Sequence, residues 1–299
     1  MPEPTSAPAP PLRTPAAGAV DIRPLRTLDE LTACVELQRA TWGDEFSDLV
    51  PASILKVSQR VGGIAAGAFD ADGRLLGFVF GLTGIERGRI VHWSDMLAVR
   101  ADARDLGLGR LLKEYQRDAV RALGGTVIYW TYDPLVARNA HLNFNKLGVR
   151  VDEYVEQMYG DTDSLLHRGL GTDRFVVAWP VSRHDSDALA LQSRKLSSDS
   201  SRETRDAPLV NPDLADGSVP DLELIQRARP RFLRVAIPRD IAAVQSHSLE
   251  LAGRWRRSTR RAFQWALARG YAVRGVDADG AEERCYYVLT SDASRAQER

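Results

Sequence analysis

Met96-Leu97-Ala98-Val99-Arg100-Ala101-Asp102-Ala103-Arg104-Asp105-Leu106-Gly107-Leu108-Gly109-Arg110 is the most informative stretch of this 299-residue chain. An apolar strand ends near Val99, a polar loop turns, and a helix opens on Gly107-Leu108-Gly109. Apolar residues then recur at helical spacing at 108, 111, 112, 115, 119, 122 and 123 until Gly124-Gly125 stops the run. The first N–H groups of a helix have no partner inside it and carry partial positive charge, so such a junction favours an anion. Glycine at that point lets an anion reach the backbone. Two familiar phosphate loops do not fit. A P-loop places Lys-Ser/Thr after its last glycine, where Arg110-Leu111 stands. A dinucleotide fingerprint needs a third glycine near position 112, which is Leu112.

Outward from this junction the pattern is α/β. Residues 21–24 read as a strand, 28–42 as an amphipathic helix, and Pro51 opens a second helix to about 60. Asp70-Ala71-Asp72-Gly73 between apolar runs at 64–69 and 75–82 marks a hairpin. A strand spans 89–99. The β-branched and aromatic run TVIYWTY at 126–132 is a central strand. A helix over 135–147 ends at Gly148, and strands follow near 151–158 and 175–179. From about 182 to 229 Ser, Asp, Arg and Pro dominate without periodicity, which predicts a flexible linker or insertion. Strands at 232–237, 271–276 and 285–289 then surround a helical stretch over 239–269. The division expected is a disordered leader at 1–19, a first domain at 20–182, a linker at 183–229, a C-terminal α/β extension at 230–291 and a disordered tail at 292–299.

Composition narrows the function classes. Forty basic and forty acidic residues give zero formal charge, which argues against general nucleic-acid binding. No apolar run reaches the ~18 residues needed to cross a membrane, and the start lacks the basic and apolar segments of a signal peptide. Cys34 and Cys285 have no metal-ligand spacing, and no metal is expected. A cytoplasmic protein with two buried free thiols and no membrane or nucleic-acid partner is the expectation.

Arg104-Asp105-Leu106-Gly107-Leu108-Gly109 follows the pattern Arg/Gln-x-x-Gly-x-Gly. With Leu97-Ala98-Val99 before it and an amphipathic helix after it, it resembles the coenzyme A loop of the GNAT superfamily of N-acyltransferases. Asn139-Ala140-His141-Leu142-Asn143-Phe144-Asn145-Lys146-Leu147-Gly148 resembles the helix that closes that coenzyme site. The likeness covers about 20–181. It implies a mixed, mostly antiparallel central sheet flanked by helices, acyl-CoA as co-substrate, and direct attack of a small-molecule amine on the thioester; it also allows a homodimer. Several features resemble a subgroup associated with N-succinylamino acid racemases: Asp133-Pro134, Arg138-Asn139-Ala140-His141, Tyr159-Gly160, Gly171-Thr172-Asp173-Arg174-Phe175, Ile237-Pro238 and Trp255-Arg256. That implies transfer of acetyl or succinyl to an amino acid.

Roles follow residue by residue. Arg104 and the backbone of Asp105, Leu106, Gly107, Leu108, Gly109 and Arg110 would clamp the pyrophosphate. Leu97, Ala98 and Val99 would present backbone groups to the pantetheine arm, with Asn139 and Asn143 bonding its amides. On the strand, Trp93, Asp95, Leu97 and Val99 share one face, so Asp95 is the candidate base. His92 points to the other face, and Glu86 lies in the turn before the strand. The family's usual tyrosine beside the sulfur is replaced by Phe144, so either Tyr132 or His141 donates the proton or the thiolate leaves without a general acid. Arg138 and Arg174 could bind an acceptor carboxylate. The arginines at 254, 256, 257, 260 and 261 read as a solvated basic face. A non-catalytic coenzyme A sensor is the alternative, and a nucleic-acid-associated acyltransferase is a third reading.

Overall fold

The computed structural model describes residues 20–44, 46–104, 106–160, 169–198, 202–211, 220–277 and 283–291. The leader and tail read from the sequence, and Asp105, lie outside them. The fold is mixed α/β, with a central, mostly antiparallel sheet flanked by helices. Its strand order is β1-β2-β3-β4-β5-β7-β6, and a second sheet runs β8-β10-β9. The chain divides into two compact units within β5 (Val127–Tyr132), after Tyr129.

In the first unit β1 (Asp21–Pro24) leads to α1 (Leu28–Trp42), whose start is a capping box. The Thr27 hydroxyl accepts from Glu30 N–H at 3.2 Å and the Glu30 carboxylate accepts from Thr27 N–H at 3.3 Å. Then come α2 (Ala52–Arg60), β2 (Ile64–Phe69), β3 (Leu75–Glu86), β4 (Arg89–Val99) and α3 (Leu108–Ala122). The β2–β3 turn is held by the Asp70 carboxylate, which accepts from the N–H groups of Asp72 and Arg74. Phe78, Phe80 and Met96 pack with Leu31, Cys34 and Leu55 in its core.

The second unit contains the end of β5, α4 (Ala137–Ala140), a π-helical segment (His141–Leu147), β6 (Arg150–Val155) and β7 (Arg174–Pro180). Next are α5 (Arg183–Ser198), α6 (Arg202–Arg205), α7 (Leu222–Ala228), β8 (Phe232–Pro238), α8 (Ile241–His247), α9 (Leu249–Ala268), β9 (Tyr271–Asp277) and β10 (Arg284–Ser291). Residues 183–229, expected as a flexible linker or insertion, carry three helices among the described residues. The polar composition hides the contact that orders α5, which packs on β9 and on the π-helical segment. Gly148, with φ 72°, is required by that packing, because a Cβ there would come within 2.1 Å of the Ser186 carbonyl oxygen. The single helix expected over 239–269 is two. Ser248 separates them and caps α9 by accepting from Leu251 N–H.

An aromatic cluster fills the core of this unit. Phe175 of β7 meets Phe263 of α9 with ring centroids 4.7 Å apart, and Tyr287 of β10 meets Phe263 at 5.1 Å. Burying such rings stabilises by roughly 1.5–3 kcal/mol each, so β7 and the C-terminal segment share one core. The C-terminal strands nonetheless form their own sheet.

Candidate functional site

In the first unit β4 supplies two faces of different character. His92, Ser94, Met96 and Ala98 are buried, while Trp93, Leu97 and Val99 are half-buried and Asp95 is exposed. The register to β3 pairs Phe80 with Met96 and Gly81 with Ser94, so Asp95 is the extra residue of a β-bulge. Partial desolvation pushes its carboxyl above the usual carboxylate range. A hydrogen bond with the Trp93 side chain opposes that push and the Asp48 charge adds to it. Because Asp95 is exposed, water tempers the shift.

The other face is closed. Thr83 donates its hydroxyl proton to the Gly62 carbonyl at 2.6 Å, so its oxygen accepts from His92 Nδ1 at 2.9 Å. His92 Nε2 then accepts from the Gln116 amide at 3.0 Å. Burial and the Lys113 charge hold the imidazole neutral, with its pKa lowered to about 3. Lys113 is buried too, donates to Ser94 Oγ at 2.7 Å, and is pushed down to about 7 by burial. His92 is thus a satisfied buried histidine.

β4 pairs in parallel with β5 from Val91↔Val127 to Trp93↔Tyr129. From Ser94 onward that edge of β4, including the backbone of Leu97 and Val99, has no strand partner among the described residues. It leads through Arg100–Arg104 to α3, whose N-cap Gly107 sits at φ 73°, ψ 8° with no side-chain cap. The N–H groups of Leu108 and Gly109 bond no described residue, whereas those of Arg110 and Leu111 already meet the Gly107 carbonyl. A Cβ at Gly107 would point into open space, and one at Gly109 would only touch Leu97 at 3.6 Å. Arg104 and Leu106 are exposed, Leu108 is buried in the core, and Arg110 pairs with Glu114 at 2.8 Å. Arg104 also lines a cleft of about 770 Å³ that runs beside α1 to Arg74 and Arg100. The junction can receive an extended chain along a strand edge and an anion at its end.

In the second unit the corresponding strand end is sealed. Tyr132 is buried and its hydroxyl lies 3.2 Å from that of Tyr287, which donates to the Pro134 carbonyl at 2.8 Å. The Tyr132 proton is therefore committed to Tyr287. Burial drives its pKa far above the usual value, and the neighbouring Asp133 charge reinforces this. Asp133 accepts from both Arg256 Nη atoms at 2.8 and 2.5 Å and from Leu135 N–H at 2.8 Å. Phe144 is buried against Tyr287.

The π-helical segment alters the expected spacing. Asn143 is buried and its side-chain oxygen accepts from the Trp130 indole at 3.2 Å, while Asn139 is exposed, so the two do not form one amide-binding pair. His141 is exposed. Asn145 donates to its Nδ1 at 3.1 Å and to the Val276 carbonyl at 2.8 Å, which leaves the proton on Nε2. Burial and Lys146 lower its pKa. Arg138 is exposed. Arg174, expected as a free carboxylate binder, is buried, donates to the Asp173 carbonyl at 2.9 Å and lies 5.3 Å from the Tyr159 ring centroid.

The basic face of α9 is not simply solvated. Arg256 is buried on Asp133, and Arg260 grips Asp173 at 2.8 and 2.7 Å and also Glu156. Sequence reading treated these arginines as one surface because their acids lie far away in the chain. A signal was present: Ala252, Trp255, Arg256, Thr259, Ala262, Phe263 and Ala266 share the buried face, so Arg256 needed a buried partner.

Among the described residues no group of His, Cys, Asp or Glu is placed to hold a metal, and no helix is long and apolar enough to cross a membrane. Cys34 and Cys285 are buried and unpaired. The sequence matches no protein-family model and no curated protein. Similar solved structures include the NatC complex bound to Gag peptide and coenzyme A, at 17% identity over 55% of this chain and 99% of the other, with TM-score 0.44. An aminoglycoside 6'-N-acetyltransferase complexed with coenzyme A gives 18%, 54%, 97% and 0.41 in the same terms. The ribosomal-protein-S18-alanine N-acetyltransferase from Escherichia coli gives 18%, 55%, 94% and 0.42. Likeness at this level leaves family and activity to be argued from the site.

Proposed function

We infer that this protein is an acyl-CoA-dependent N-acyltransferase, moving an acetyl or succinyl group to a primary amine, with an amino acid as acceptor class. The observation that carries the reading is the unpartnered edge of β4 running into the left-handed Gly107 at the start of α3. A pantetheine arm would pair with that edge. The pyrophosphate would meet the N–H groups of 108 and 109, with Arg104 adding charge. GNAT-like spacing of the same residues supports the assignment, and the choice of acyl group and acceptor rests on the resemblance to the racemase-associated subgroup.

The neutral amine attacks the thioester carbonyl carbon, the C–N bond forms and the C–S bond breaks. The ammonium proton passes to Asp95, directly or through water, and the coenzyme thiolate leaves. Asp95 suits this role because its raised pKa makes it a better base than an ordinary carboxylate. Tyr132 and Phe144 offer the departing sulfur no free proton, and that observation favours the second reading, a coenzyme A sensor without turnover.

The test is a mass-spectrometric screen with acetyl-CoA or succinyl-CoA against L- and D-amino acids and simple amines. An N-acylated product establishes the class and names the pair. Coenzyme binding without product across the panel selects the sensor. Normal turnover by Gly107→Trp would overturn the loop assignment.

A further inference from the structure

The second unit contains a cleft of about 460 Å³ between residues 169–172 and the face of α9 carrying Arg256, Arg257 and Arg260. Among the described residues its lining holds those three guanidinium groups and no carboxylate. Two are committed: Arg256 to Asp133, and Arg260 to Asp173 and Glu156. Arg257 is exposed and has no hydrogen bond or ion pair with any described residue.

The surroundings fix where Arg257 lies. A Cβ at Gly253, one helical turn earlier, would come 3.3 Å from Arg257 Nη1, so the guanidinium rests against bare backbone. Opposite, Gly160, Gly169 and Gly171 hold φ values of 63°, 73° and 77°, conformations that a side chain would strain. Thr172 adds no donor, because its hydroxyl already donates to the Gly160 carbonyl at 2.9 Å.

Charge selects the ligand. Among the described residues, Arg256, Arg257 and Arg260 of the cleft and the neighbouring Arg174 stand against Asp133, Asp173 and Glu156, four cations to three anions. The excess is one positive charge, carried by a planar group that matches a carboxylate with two parallel hydrogen bonds. We propose that this cleft binds the carboxylate of a small molecule, with Arg257 as its main contact. Only the identity of that molecule, the acceptor amino acid, rests on the acyltransferase reading.

The test is direct binding without any acyl-CoA, by ligand-observed NMR on the full chain. The probes are L-amino acids, the corresponding amino-acid amides, and inorganic phosphate. Amino acids should bind saturably and their amides should not. Arg257→Gln should weaken amino-acid binding about tenfold or more and leave coenzyme A affinity unchanged. Gly253→Ala, which favours the helix but displaces the guanidinium, should weaken it less. Equal binding of acids and amides, an unaffected Arg257→Gln protein, no saturable binding, or phosphate displacing every amino acid would each overturn the proposal. Carboxylate binding without turnover would sink the acyltransferase reading alone, whereas turnover indifferent to Arg257→Gln would sink this one alone.

Discussion

Two strand-to-helix crossovers in this molecule solve the same physical problem in opposite ways. After β4 the chain reaches α3 through an exposed loop, a left-handed glycine and helix N–H groups that bond no described residue. After β5 it reaches α4 through Asp133 and Pro134, whose polar groups are taken by Arg256, Leu135 N–H and Tyr287. Backbone and side-chain polar groups at such a turn must be satisfied by protein, by water or by a ligand. The second crossover is satisfied by the C-terminal segment, whereas the first leaves the N–H groups of Leu108 and Gly109 without a partner among the described residues.

The largest effect should come from breaking the sealed crossover. Arg256→Ala strands the Asp133 carboxylate in the core and should cost about 3–5 kcal/mol in urea unfolding. Arg104→Ala at the open crossover should stay within about 0.5 kcal/mol. Equal losses would erase the contrast.

On the acyltransferase reading, Asp95→Asn should lower kcat by about 10²-fold or more. The rate of the unmutated protein should fall as pH drops through the raised Asp95 pKa, since the base must be ionised. Stability should not suffer in this variant, because the fold already disfavours the charged form. A kcat unchanged by the substitution would remove Asp95 from the chemistry.

The buried face of β4 predicts a separate pH effect. His92 titrates at about 3 when folded and near 6.5 when unfolded, so below about pH 6.5 the unfolded chain binds the extra proton. Stability of the first unit should fall by about 1.4 kcal/mol per pH unit from there downward, and His92→Gln should flatten that slope. A slope unchanged in the variant would contradict the neutral tautomer.

Gly107→Ala forces a side chain into the left-handed region at a cost of roughly 1–2 kcal/mol without steric contact, less than the loss of the buried Arg256–Asp133 pair. Coenzyme A affinity should fall with it. A stabilised variant would show that the turn relaxes.

Much of the first unit was legible because its signals are local. The helix at Leu28–Trp42, the Asp70–Gly73 turn and the glycine stop of α3 each depend on residues a few positions apart. So did the two faces of β4, which follow from strand alternation. The helices within 183–229 were not legible, since α5 is ordered by packing on β9 and not by its own pattern. The π-helical segment was equally hidden: one extra residue per turn buried Asn143 and left Asn139 outside.

The sequence by itself determined the elements of the first unit and the strand, glycine turn and helix start around Arg104 to Gly109, because short-range periodicity and glycine chemistry specify both. Only the tertiary structure decided that Arg256 closes on Asp133, that Tyr132 gives its proton to Tyr287, and that Arg257 meets no acid among the described residues. Those outcomes depend on side chains from segments more than a hundred residues apart meeting in one core. Long-range charge pairing leaves no mark in local spacing.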